Sequence, residues 1–206
     1  RVLWEEMLGQ NMDAVAIDYW DSPTQKRAFA SGFGHILDET GNIILKLGEE
    51  IVPHGQELRV ARFDDDVPGS QMMIRYHGHQ PDVMLVDQSG QVVRRFQLNK
   101  SPNNTGMEAV YWNGDNQPAL LYNGGQLWNG RGESLFAFDL PPPRGSKRQG
   151  WYHCIPADVC GDQREEVVLY NPWDTAIYIY TPTLLNESAY KGYQPTPRQY
   201  NVRLMD

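Results

Sequence analysis

Short apolar runs and polar breaks alternate along the chain, and the breaks recur at a fixed interval. Four stretches align beneath one another: "AIDYWDSPTQKRAFAS", "VARFDDDVPGSQMMIRY", "EAVYWNGDNQPALLYN" and "IPADVCGDQREEVVLYN". Each is a short run ending near Asp18, Asp64, Val110 or Asp158, then a polar turn, then a second apolar run. The anchors lie about 46, 46 and 48 residues apart, the period of a four-stranded repeat unit. A second hairpin pattern follows the first three: "HILDETGNIILKL" turns at Gly41-Asn42, "DVMLVDQSGQVVRRF" at Ser89-Gly90, and "LWNGRGESLFAF" at Arg131-Gly132. The fourth is compressed to "DTAIYIYT". Short runs bounded by Gly, Asn, Asp and Pro predict antiparallel hairpins. The chain therefore reads as all-β, with the first strand of each repeat near residues 14–18, 58–64, 107–112 and 152–158. Helical spacing shows only in the first dozen residues.

Repeated four-stranded units predict a β-propeller, a ring of antiparallel blades. The blades fall at approximately residues 12–47, 57–98, 107–140 and 151–182, and the closing "YNVRLMD" reads as the start of a further blade at 200–206. Four blades and a fraction suggest part of a larger ring, and the chain opens at Arg1 in mid-pattern without a leader. Within a blade, the turns between the first and second strands share one rim. The remaining turns and the links between blades share the other. That sorting places the acidic turns on one rim and His35, His54, His77 and His79 on the other.

Composition narrows the function. The net charge of −8 argues against non-specific nucleic-acid binding. No run of apolar residues is long enough for a membrane-spanning helix. The two cysteines, Cys154 and Cys160, have no zinc-type spacing; they could pair across a bend or stay as free thiols.

The acidic turns carry the first candidate chemistry. "DVCGDQREE" sets four carboxylates around Gly161, where they repel one another unless a cation lies among them. Calcium takes oxygens from a compact loop. Alternating positions offer Asp158, Asp162, the carbonyl of Arg164, and Glu166, while Cys160 supplies no oxygen. "DDDVPG" offers Asp64, Asp65 and Asp66 in a comparable turn, with Asp64 and Asp66 as expected ligands. The alternative is a solvated hairpin turn.

Three stretches resemble the β-propeller rhamnogalacturonan lyases. They are "HGQELRVARFDDDVPGSQMMIRY", "TGMEAVYWNGDNQP" and "ADVCGDQREEVVLYNPWDTAIYIYTPT", within roughly residues 52–185. One departure stands out: Gln56 occupies the place of an acidic residue in the family's Gly-His-Gly-Asp segment. The resemblance implies calcium dependence, secretion to an extracellular or periplasmic location, and cleavage of an acidic polysaccharide of rhamnose and uronate by β-elimination. A completed ring is expected to be monomeric. The alternative reading is a non-catalytic propeller, stapled by calcium, that binds glycan or protein.

Elimination from a uronate needs a cation to neutralise the carboxylate, a base for the adjacent C–H, and a donor for the departing oxygen. His54 is the first candidate base, held between Pro53 and Gly55, with His77 and His79 of "HGH" as the alternative. Arg148 or Arg144, with Lys147, in "PPPRGSKRQ" would meet the carboxylate, and Tyr152 and Trp173 would contact sugar. The histidines and the basic cluster have a second reading as loop residues, and Trp173 as a core residue.

Overall fold

The computed structural model describes residues 1–98, 106–114, 116–142 and 152–182. The expected residues Arg144, Lys147 and Arg148, and the expected strand at 200–206, lie outside the described residues. The described residues hold strands and no helix. The chain divides into two compact units: Arg1–Ala61 with Asp65–Leu98, and Arg62–Asp64 with the described residues beyond 98.

The first unit holds two four-stranded antiparallel sheets. One runs β1 (Val15–Tyr19), β2 (Lys26–Ala30), β3 (His35–Leu37) and β4 (Ile43–Lys46); the other runs β5 (Glu57–Ala61), β6 (Gln71–Arg75), β7 (Asp82–Val86) and β8 (Val92–Gln97). In the second unit, β9 (Glu108–Val110), β10 (Leu120–Asn123), β11 (Gln126–Trp128) and β12 (Ser134–Ala137) form a third sheet. There, too, β13 (His153–Ala157), β14 (Glu166–Tyr170) and β15 (Ile177–Tyr180) form a fourth, three-stranded sheet. In every sheet the strands pair in chain order, because each connection is a hairpin too short to cross over.

Burial explains why the central strands lack alternation. In β6 all five residues are buried, so "QMMIR" fills space on both faces of its sheet. One core of the first unit gathers Trp20, Phe29, Ile36, Leu58, Ile74 and Met84. In the second unit, Val110, Tyr122, Leu127, Val167 and Leu169 pack together, and Phe138 lies 4.5 Å from the Tyr180 ring and 5.1 Å from Phe136. The first dozen residues form no helix: Trp4 lies against Gly41 and its indole N–H donates to the Glu39 carbonyl.

One five-residue turn closes the second hairpin of three sheets. In Asp38–Asn42 the Asp38 carboxylate accepts the backbone N–H of Thr40 and of Asn42, each at 2.9 Å. Asp87 repeats this with Ser89 and Gln91, again at 2.9 Å, and Asn129 with Arg131 and Glu133 at 3.0 and 2.9 Å. The fourth residue is glycine each time, Gly41, Gly90 or Gly132, with φ between 85° and 89°. L-residues rarely adopt that conformation, so "DETGN", "DQSGQ" and "NGRGE" share a backbone requirement more than a composition. Hydrogen bonds from the Asn42 and Thr40 side chains hold the Asp38 carboxyl far below the usual carboxylate range. Partial burial opposes the same effect at Asp87, yet bonds from Ser89 and Gln91 still lower it.

His35 is a different case. It is 1% exposed, and neither ring nitrogen has a hydrogen-bond partner. Burial, and then the charge of Lys46, push its pKa below the ordinary value of 6.5.

Two outcomes follow. Asp87→Ala strips acceptors from two turn N–H groups and should cost about 1 kcal/mol in urea unfolding. For His35 the folded pKa is depressed, so the unfolded chain binds its proton first. Its contribution to stability should be intact above pH 6.5 and erode as pH falls below that. In His35→Leu the corresponding part of the pH slope should vanish from the melting curve.

Candidate functional site

The first unit brings together residues that the sequence spaces far apart. His54 and His77 form an isolated parallel bridge. The His54 N–H donates to the Tyr76 carbonyl at 3.2 Å, and the Gly78 N–H donates to the His54 carbonyl at 2.8 Å. The "PHG" link and the "HGH" loop, alternatives in the sequence, are thus neighbours. Gly55 seats the link: its N–H donates to the Gly32 carbonyl at 2.9 Å, and a Cβ there would lie 2.2 Å from the Ser31 carbonyl oxygen. No side chain fits at that position without moving the backbone.

Each histidine has a carboxylate. His77 Nδ1 lies 3.3 Å from Asp82 Oδ2, and Asp82 Oδ1 accepts from Gln97 Nε2 at 2.8 Å. His54 Nε2 lies 3.2 Å from Asp13 Oδ2. The Gln56 amide joins that second pair, with Nε2 at 2.7 Å from His54 Nε2 and hydrogen-bonded to Asp13 Oδ2. The His54 and His77 side chains are 40% and 59% exposed, so both rings are open to a ligand. His79 is exposed on the same loop.

Beneath the loop, Arg75 is fully buried. Its guanidinium donates to the Gln80 carbonyl at 3.2 Å and lies 3.4 Å from Glu57 Oε2. Burial lowers its pKa, while Glu57 and Asp82 act to raise it. At the surface, the Arg95 guanidinium sits 5.4 Å from the Tyr76 ring centre, and the Tyr76 ring stacks on His77 at 6.2 Å and 15°. Arg95 is exposed and places a cation beside these aromatic rings.

Sequence reasoning missed Asp13, Asp82 and Arg95. Asp82 had a usable signal, five residues after His77 across a hairpin. Asp13 had none, because pairing β1 with β2 and seating Gly55 on Gly32 bring it to His54 from 41 positions away.

The acidic turn has a different geometry from the one its composition suggests. Asp158 Oδ1 accepts the N–H of Gly161 at 2.6 Å and of Asp162 at 3.0 Å, and Oδ2 accepts that of Gln163 at 3.0 Å. Glu166 Oε2 accepts from Val159 and Cys160 at 2.8 and 3.0 Å, and Glu165 accepts from Tyr111 at 2.8 Å. Asp162 is paired with its own neighbour, the Arg164 guanidinium. Among the described residues, Gln163, at φ 70°, is the one non-glycine residue of positive φ, so these bonds offset real backbone strain.

A calcium ion needs several of these oxygens to converge. Of the carboxylate oxygens in this turn, Glu166 Oε1 is buried without a hydrogen-bond partner. Among the described residues, no three acidic, histidine or cysteine side chains form a group that could hold a metal. As folded, the turn spends most of these oxygens on backbone N–H groups. In the other acidic turn, Asp64 is buried at 3.5 Å from Arg131, and Asp66 is exposed. Cys154 and Cys160 form no disulfide with each other, and burial with the nearby Glu166 charge pushes the Cys160 thiol up to about 11.

Two expected sugar contacts separate in the second unit. Tyr152 is buried in the core, and its hydroxyl donates to Asp174 at 3.1 Å. The ring therefore fills core space rather than surface. Trp173 is 55% exposed and available for stacking on a sugar.

Two solved structures share this fold over most of the chain. The Bacillus licheniformis rhamnogalacturonan lyase PL11 superposes with a TM-score of 0.59 at 20% identity, over 82% of this chain and 29% of its own. The exotype rhamnogalacturonan lyase YesX gives 0.56 at 19% identity, over 82% of this chain and 30% of its own. The chain thus spans less than a third of either lyase. The likeness establishes the fold and agrees with the resemblance in the sequence. No family model matches the chain, and no curated protein matches it in sequence.

The turn geometry gives a direct outcome. Asp158→Ala removes the acceptor for three N–H groups and should lower the melting temperature by several degrees, equally in calcium and in chelator. A calcium-dependent rise in the parent protein that Asp158→Ala abolishes would instead place the ion in this turn.

Proposed function

We propose that the chain belongs to a secreted lyase that cleaves an acidic, rhamnose- and uronate-containing polysaccharide by β-elimination. The observation that carries this reading is the pair of exposed histidines, each beside a carboxylate, clamped together by one backbone bridge. Elimination needs two such groups close together, one taking a proton and one meeting the departing oxygen.

In this reading the sheets are blades of a propeller, supported by their strand order and their faces. The first sheet exposes Val15, Ile17 and Tyr19; the last exposes Ile155, Ile177 and Ile179. Stacked blades cover such faces with their neighbours.

The base is His77 rather than His54. In this reading Asp82, 3.3 Å from Nδ1, keeps the ring proton on that nitrogen and leaves Nε2 of the exposed ring to act as the base. Nε2 takes the proton from the carbon bearing the uronate carboxylate. The C–H electrons form the new carbon–carbon double bond as the neighbouring carbon–oxygen bond breaks. The departing oxygen meets a ring N–H of His54 and takes a proton from water, and His77 then gives its proton to the resulting hydroxide, which restores the base. Arg95, exposed beside the Tyr76 and His77 rings, neutralises the carboxylate. Calcium, implied by the resemblance, supplies no step here.

The test is the ultraviolet absorbance of an unsaturated uronate when full-length protein is incubated with rhamnogalacturonan. His77→Ala should reduce turnover by about 10²-fold or more. His54→Ala should also reduce it, through loss of a donor to the oxygen. Tight polymer binding with no absorbing product would favour the glycan-binding reading. Full activity in both variants would end the assignment of this site.

A further inference from the structure

Gln56 presents its amide nitrogen to two atoms at once: His54 Nε2 at 2.7 Å and Asp13 Oδ2. An amide nitrogen carries only hydrogens, so whatever it contacts this closely must accept. The opposite orientation of the amide would turn its oxygen against the Asp13 carboxylate, placing two acceptors together. The network thus fixes the orientation. The side chain is also held: Gln56 is 5% exposed and its backbone N–H donates to the Arg75 carbonyl at 2.9 Å.

We infer that Gln56 is a positioning residue that keeps His54 neutral, with Nε2 unprotonated and the proton on Nδ1. One amide hydrogen goes to Nε2 and the other to Asp13. The 3.2 Å approach of His54 to Asp13 is then that of two acceptors sharing one donor, not an ion pair. An acidic side chain at position 56 would do the reverse, surrounding Nε2 with two carboxylates and drawing a proton onto it. Across the backbone bridge stands His77, 3.3 Å from Asp82. This inference deepens the proposed function, because it supplies the Nδ1–H that meets the departing oxygen. Its test needs no substrate.

Nitrogen chemical shifts of the His54 ring in the full-length protein read the tautomer directly. The parent protein should show an unprotonated Nε2 and a protonated Nδ1 at neutral pH. Gln56→Met, equal in length but without a donor, should move the proton to Nε2, where Asp13 accepts it. Gln56→Glu, which removes the amide donor and adds a carboxylate, should likewise bring a proton onto Nε2. A parent protein with the proton already on Nε2, or the same tautomer in Gln56→Met, would overturn the inference. If Gln56→Glu does not fold, the parent and Gln56→Met spectra still decide. Failure of the lyase reading would show separately, as absent product with the tautomer unchanged.

Discussion

Backbone N–H groups in tight turns need acceptors, and in this protein side-chain oxygens supply them. Asp38, Asp87 and Asn129 each hold two N–H groups of a hairpin turn, and Asp158 holds three. Sheets built wholly from hairpins have many such turns and no helices to absorb the donors. Each bond contributes only about 1 kcal/mol, yet an unmet N–H inside a turn costs more than the bond gains. The repeat is therefore a repeat of turn chemistry as much as of strands.

The same requirement explains the acidic appearance of residues 158–166. Carboxylates crowded in sequence suggest a metal because isolated charges repel. Here Asp158 and Glu166 are dispersed over five N–H groups, and Arg164 meets Asp162. Peptide dipoles and one guanidinium provide the positive counterpart that a cation would otherwise supply.

At the histidine site, packing sets the chemistry. Gly55 lies so close to Ser31 that only hydrogen fits, and this contact carries His54 to the end of the first sheet, where Asp13 waits. Across the bridge, His77 reaches a carboxylate on its own hairpin, while His54 reaches one from another sheet. Two imidazoles of one chemical type thus acquire different partners. Gln56, which reads in the sequence as the loss of an acidic group, sits where Asp13 restores one.

Sequence by itself determined the hairpins, their period and the turn glycines, because these follow from local φ preferences and from which short runs are apolar. It also picked out His54 and His77, since Pro53-His54-Gly55 and His77-Gly78-His79 restrict and free the backbone in recognisable ways. It placed the calcium expectation on Asp158, Asp162 and Glu166 because composition shows charge but not direction. Which groups a carboxylate faces depends on the path of the turn backbone, which at Gln163 takes a positive φ. Tertiary structure alone decided that Tyr152 is core, that Asp13 meets His54, and that two loops 23 residues apart form one bridge. Those contacts arise from sheets packing on sheets, and no periodicity along a single chain encodes which residues that packing will bring face to face.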